Sequence, residues 1–138
     1  MVVSKENIEN YIPHRAPFKM IDNLLSVSAE RFESDFEIGS DNLFLKDGVF
    51  QEGGLIENIA QTCAAAFGFL DSANGTEPKI GFIGAISRLV LHELPSLHSK
   101  ISTEVIPTHQ LGNIVQVTGR NFSDGRMLLE CEMKIVVQ

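Results

Sequence analysis

The stretch Glu52-Gly-Gly-Leu-Ile-Glu-Asn-Ile-Ala-Gln-Thr-Cys-Ala-Ala-Ala-Phe-Gly-Phe-Leu70 decides the fold. It reads as a glycine-rich loop, Gly53-Gly54, feeding into an apolar helix that begins near Gly54. Leu55, Ile56, Ile59, Ala60, Cys63, Ala64, Phe67 and Leu70 recur at helical spacing, and no charge falls between Cys63 and Leu70. A helix with that pattern is expected to be buried nearly all round, so the rest of the chain must wrap it. Its polar groups sit at the front. Glu57 and Gln61 lie one turn apart on one face, beside small Ala64 and Ala65. A buried carboxylate is costly unless paired or shifted, and a first-turn position offers backbone N–H groups to a developing negative charge. Two readings of Glu57 stand at this point: a site carboxylate, or an acid that complements the helix dipole from an exposed first turn.

On the N-terminal side, residues 40–52 contain Lys46-Asp-Gly48 and read as a surface connection. Before them, Leu24 to Ile38 alternate. Phe32, Ser34, Phe36 and Ile38 fall on one face and Glu33, Asp35 and Glu37 on the other, the pattern of a strand with one wet side. Further back, Pro13 and Pro17 bracket His14-Arg15-Ala16, holding the backbone extended and fixing the imidazole in place. Lys5 to Tyr11 reads as a short amphipathic turn or helix that Pro13 ends. On the C-terminal side a polar loop, Asp71 to Pro78, leads to four strands: Ile80 to Leu91, Lys100 to Ile106, Asn113 to Asn121 and Met127 to Val137. Ser123-Asp-Gly125 supplies a tight turn before the last. The expected architecture is a single α+β domain over 1–138, a long central helix wrapped by a curled antiparallel sheet of about five strands.

A chain of 138 residues with 43% apolar and 21% charged side chains suits one globular domain with one core. The net charge of −7 and the scattered basic residues, without interleaved aromatics, argue against a nucleic-acid partner. No run approaches a membrane span, and Met-Val-Val-Ser-Lys-Glu-Asn lacks the basic region and apolar block of a secretory signal, so a cytoplasmic location is expected. Cys63 and Cys131 stand without CxxC or His-rich spacing. They read as small core residues, and neither a metal nor another cofactor is expected. His92, His98 and His109 read as solvated residues in or beside strand connections, and Arg15, Lys19, Arg88, Lys100 and Arg120 either as a basic rim or as separate solvated charges.

The segment "IPHRAPFKMID" (12–22), with "GLIENIAQTCAAAFG" (54–68) on the helix, resembles the hotdog-fold 3-hydroxyacyl-[acyl-carrier-protein] dehydratases. "IGFIGAISRLVLHELP" and "GNIVQVTGRNFSDGRMLLECEMKIV" are similar to that family's later strands, so the likeness covers nearly the whole chain. Within the superfamily it is most similar to the divergent dehydratase-like proteins of aryl-polyene and flexirubin-type pigment clusters. The resemblance implies that Glu57 is the catalytic acid and Gln61 the amide supporting it. It also implies an acyl thioester substrate on an acyl carrier protein or coenzyme A, and a homodimer or a heterodimer with a second dehydratase-like subunit. One position departs. The family's Gly-His-Phe-Pro-Gly segment supplies a catalytic histidine, and Leu43 stands in its place.

That departure matters because dehydrating a 3-hydroxyacyl thioester needs a base for the proton beside the carbonyl, an acid for the departing hydroxyl, and donors for the enolate-like oxygen. Glu57 suits the acid. The N–H groups around Gly53, Gly54 and Leu55 suit the donors, and Arg88 suits a phosphate of the carrier arm. The base is then His14, unless that histidine is only a structural hydrogen-bonder. Two other functions compete: a hotdog acyl-thioesterase, which needs only one carboxylate, and a non-catalytic partner of an active dehydratase.

Overall fold

The computed structural model describes residues 1–138. Its elements run in the order of a 3-10 turn (Ile8–Asn10), β1 (Asn23–Val27), β2 (Phe32–Glu37), β3 (Leu45–Lys46), β4 (Val49–Phe50), α1 (Glu52–Ala73), β5 (Gly81–Leu91), β6 (Lys100–Leu111), β7 (Ile114–Ser123) and β8 (Arg126–Val137). Six strands form one antiparallel sheet in the order β1-β2-β6-β7-β8-β5, and β3 and β4 make a separate hairpin. Strand alternation sets the inner face: Phe32, Ser34 and Phe36 of β2 are buried, as are Ile101, Thr103 and Val105 of β6 and Val115, Val117 and Gly119 of β7. Against that face α1 presents Leu55, Ile59, Cys63 and Ala66, all fully buried. At the closest approach a side chain on Gly119 would collide with Ile59, so the strand carries glycine where the helix crosses it. This is the hotdog arrangement, a long helix wrapped by a curled antiparallel sheet.

Four expectations are corrected. The single strand from Leu24 to Ile38 is a hairpin, because the Ser28 hydroxyl accepts from the Glu30 and Arg31 N–H groups and turns the chain between β1 and β2. That split raises the sheet from about five strands to six. Gly53 and Gly54 do not form a loop but lie in the first turn of α1. A Cβ on Gly53 would stand 2.9 Å from the Phe44 ring, and one on Gly54 would overlap the Phe50 ring, so these glycines admit two aromatic rings to the helix start. Third, β6 continues past Ile106 to Leu111, with Pro107 accommodated at a register shift between Pro107 and His109. Finally, the helix is not buried all round: Ala60, Ala64, Phe67 and Phe69 are half-buried and Leu70 is exposed.

Polar groups lie inside the helix–sheet interface. Asn58, fully buried, donates to the Met20 carbonyl (2.7 Å) and accepts from the Thr103 hydroxyl and the Asn121 amide (3.0 Å to the latter). One turn on, the Thr62 hydroxyl donates to the Asn58 carbonyl at 2.7 Å and meets the Ser34 hydroxyl at 2.6 Å. These bonds fix the register of α1 against β2, β6 and β7, which apolar contact alone leaves free to slide. Asn58→Ala is expected to lower stability by roughly 2–5 kcal/mol, since it leaves the Met20 carbonyl without a partner and the Thr103 hydroxyl without an acceptor, although that hydroxyl still accepts from Asn121. Urea unfolding checks this, with Thr108→Ala on the exposed end of β6 expected to change stability by less than about 0.5 kcal/mol.

Candidate active site

Glu57 is in the second turn of α1, past the first-turn acid Glu52, and is half-buried. The reading of an exposed first-turn charge on the helix dipole therefore gives way to a carboxylate facing a cavity. Gln61, one turn later, is almost fully buried and spends its amide on three partners. Its Oε1 accepts from the Met20 N–H at 2.6 Å, and its Nε2 donates to the Phe18 carbonyl at 2.9 Å and to Glu57 Oε2 at 3.0 Å. The segment carrying His14 is thereby tied to the helix carrying Glu57.

Arg15 holds that segment from its other side. Its guanidinium donates to the Ile12 and His14 carbonyls, each at 2.8 Å, and to the Glu9 carbonyl at 3.1 Å, and it pairs with the Glu9 carboxylate at 3.0 Å. With so many protein acceptors it works as a staple for the loop around His14.

His14 and Glu57 line one cavity of about 350 Å³ between α1 and the edge strand β5, walled by Ala60, Ala64, Ile80, Phe82, Ile83 and Ile135. They are the two titratable side chains on its wall. Burial holds the His14 imidazole below its ordinary 6.5, the Glu57 charge opposes that shift, and Arg15 adds to it. The imidazole is thus neutral at neutral pH, the state a base requires. Its Nδ1 is buried without a partner, so no protein acceptor fixes the tautomer.

The other residues singled out in the sequence lie elsewhere. Gly53, Gly54, Leu55 and Arg88 do not line the cavity. The N–H groups of Gly54 and Leu55 already point to the Gln51 carbonyl, at 3.0 and 3.4 Å. Arg88 sits at a bulge of β5 with φ of 50°, its side chain 82% exposed and 3.8 Å from Glu132. The basic residues form no common rim: Lys19 joins Arg15 on Glu9, Lys100 approaches Asp35, and Arg120 pairs with Glu104 and Glu130. His92, His98 and His109 are exposed, and His109 lies on β6 instead of in a connection. Leu43 is half exposed and outside the cavity. Burial pushes the Cys63 thiol up to about 12, which suits a core residue and not a nucleophile. The apolar wall from β5 and β8 escaped the sequence reading; of the two small residues read beside the carboxylate, Ala64 lines the cavity, whereas Ala65 is fully buried in the core and Ala60 takes the second place. No helix is long and apolar enough to cross a membrane.

The family model described as "ApeP-like: ApeP dehydratase" matches residues 6–135. The chain is 23% identical to the 3-hydroxyacyl-[acyl-carrier-protein] dehydratase FabZ of Campylobacter lari, over 94% of each protein. Among solved structures it resembles the dehydratase heterocomplex ApeI:P from Xenorhabdus doucetiae, with TM-score 0.87, 17% identity, and 95% of this chain and 90% of that chain covered. It also resembles a hypothetical thioesterase protein with coenzyme A from Streptococcus pneumoniae TIGR4, with TM-score 0.66, 11% identity, and 84% of each chain covered.

The geometry sets the direction of two titrations. An NMR titration of the His14 ring is expected to give a midpoint below 6.5, and Glu57→Gln to move it lower still, because the carboxylate is what pulls it upward. Since the folded value lies below the unfolded one, the stability tied to neutral His14 is intact above pH 6.5 and lost as the pH falls through the folded value. A midpoint that rises in Glu57→Gln would contradict this arrangement.

Proposed function

The chain belongs to the ApeP-like dehydratase family, and from that premise we propose that it acts on 3-hydroxyacyl thioesters as a dehydratase, with His14 as base and Glu57 as acid. The observation that carries the proposal is the pairing of these two titratable groups, alone, on the wall of one apolar cavity. In the reaction, neutral His14 takes the proton from the carbon beside the thioester carbonyl. That electron pair becomes the new double bond as the bond from the next carbon to its hydroxyl oxygen breaks. The step starts from the form of the pair in which one proton rests on Glu57 and none on His14: Glu57 gives that proton to the hydroxyl, which leaves as water, and transfer of the proton from imidazolium to carboxylate restores the starting form. Gln61 occupies Glu57 Oε2, which leaves Oε1 for the substrate.

The substrate arrives on an acyl carrier protein or on coenzyme A. The assembly is a dimer in which β5, the outermost strand of the sheet, pairs with a second dehydratase-like subunit or a second copy. Support comes from β5 itself, whose unpaired edge exposes Phe82, Ile86, Val90 and Leu91, with Ile80 just before it. Exposed apolar strand edges are otherwise an aggregation hazard. The dehydratase heterocomplex among the similar structures makes the hetero arrangement the favoured one.

A second reading has an observation of its own. Leu43 cannot move a proton, so the chain could serve as the silent partner whose role is to complete another subunit's fold or tunnel. The two readings separate in a turnover assay with and without a second dehydratase-like subunit. As a dehydratase, the chain is expected to lose essentially all turnover in Glu57→Gln, and about a hundredfold or more in His14→Ala with folding intact. Activity that depends on the second subunit and ignores both substitutions would mark a silent partner, and release of free thiol without dehydration would mark a thioesterase. Phe82→Lys is expected to convert the dimer to monomer in sedimentation analysis, since it places a charge on the pairing edge.

A further inference from the structure

Open space along α1 does not end at the cavity holding Glu57 and His14. That cavity follows Glu57, Ala60 and Ala64 on the helix and Ile135 on β8. A second cavity of about 500 Å³ takes up the same faces one step further on, with Phe67 and Asp71 on the helix and Val137 on β8. Positions 57, 60, 64, 67 and 71 form one stripe at helical spacing, and 135 and 137 share one face of their strand. The two cavities therefore lie end to end along one groove, yet no residue lines both. Phe67 is the first side chain beyond Ala64 on that stripe. Its ring stands edge-on to Phe32, centroids 5.5 Å apart at 82°, which holds it in place.

We propose that the acyl tail of the substrate lies along Ala60 and Ala64 and ends against Phe67, which sets the upper limit of tail length by separating the two cavities. The inference rests on the reading that Glu57 and His14 meet a 3-hydroxyacyl thioester. From Glu57 to Phe67 the helix rises about 15 Å, the length available to the tail. Alanines at 60 and 64 leave room that branched side chains would fill, and the facing wall of Ile83 and Ile135 is apolar. Beyond Phe67 the lining is mixed, with Leu70, Val115 and Val137 apolar and Asp71, Lys79, Gln110, Asn113 and Gln138 polar, so a tail that passes the ring gains apolar contact on one side only. Removing the ring joins the two spaces.

The test is a binding series with alkyl pantetheine thioethers of graded tail length, which cannot react, measured by calorimetry on the assembled protein. Affinity for the wild type is expected to climb with tail length to a limit and then fall. Phe67→Ala and the milder Phe67→Leu are expected to move that limit to longer tails, gaining tenfold or more for tails just beyond the wild-type limit. Ala64→Leu is expected to move it to shorter tails, and thermal melts establish that each variant is folded. Identical length profiles in folded variants would overturn the inference, as would failure of every tail to bind. A limit that shifts in a protein without turnover keeps this inference and removes the dehydratase reading; turnover with an unmoved limit does the reverse.

Discussion

The structure depends on how α1 grips the peptide unit of Met20. Gln61 Oε1 accepts its N–H at 2.6 Å, and Asn58 Nδ2 donates to its carbonyl at 2.7 Å. Two side chains three positions apart on the helix thus do for one residue what a neighbouring strand does in a sheet. Residues 13–19 have no ladder of their own, so this grip, with the Gln61 bond to the Phe18 carbonyl, is what ties them to the helix. Because the amide that accepts from Met20 also donates to Glu57, the position of the carboxylate and that of the histidine segment are one constraint. A glutamate at 61 would put a second negative charge beside Glu57 and forfeit the donor. An alanine there would leave the Met20 N–H buried and unpaired.

Electrostatics at the site follow from the same geometry. His14 is held in a tug between burial, which favours the neutral ring, and Glu57, which favours the charged one, and burial dominates. The cavity wall is otherwise hydrocarbon, so the acceptor on that wall for a proton released from the substrate is the neutral His14 imidazole. What the site lacks is an acceptor for Nδ1, the usual device for orienting a basic imidazole. Here rigidity comes from the backbone, through Pro13, Pro17 and the Arg15 staple.

How much of this was legible in the sequence depends on whether the determining signal was local. The helix was legible because its apolar spacing is local, and so was the inward face of β2, whose alternation survives any register. The β1–β2 turn was not: residues 28–31 carry no glycine or proline, and the turn is made by a serine hydroxyl that reads equally well within a strand. The Gly53-Gly54 pair suggested a loop that cradles a ligand. Its actual partners, Phe44 and Phe50, lie a few residues upstream, and only the folded β3–β4 hairpin reveals that their rings need the room. At the site, Glu57, Gln61 and His14 were each visible as residue types out of place in an apolar or proline-bracketed setting. The wall from β5 and β8 was not, because nothing in a strand of ordinary apolar residues says which helix face it will meet. Asn58 was missed for a related reason. A lone amide among Leu55 and Ile59 looks like a surface position until two strands bring Thr103 and Asn121 to it.

In the proposed dehydratase, catalysis and assembly would share one set of side chains. Ile80 and Phe82, at 48% and 52% exposure, wall the cavity and lie at the sheet's unpaired edge. A subunit that pairs with β5 therefore also covers the cavity. Covering it would remove water from His14 and Glu57 together, which strengthens both the burial that favours the neutral imidazole and the carboxylate's pull toward the charged one. The single chain holds the two groups in an open groove, and the proposed pairing would close it. On this physics a partner need contribute no catalytic side chain to change the chemistry at Glu57, because it acts through the dielectric of a wall that the single chain leaves half finished.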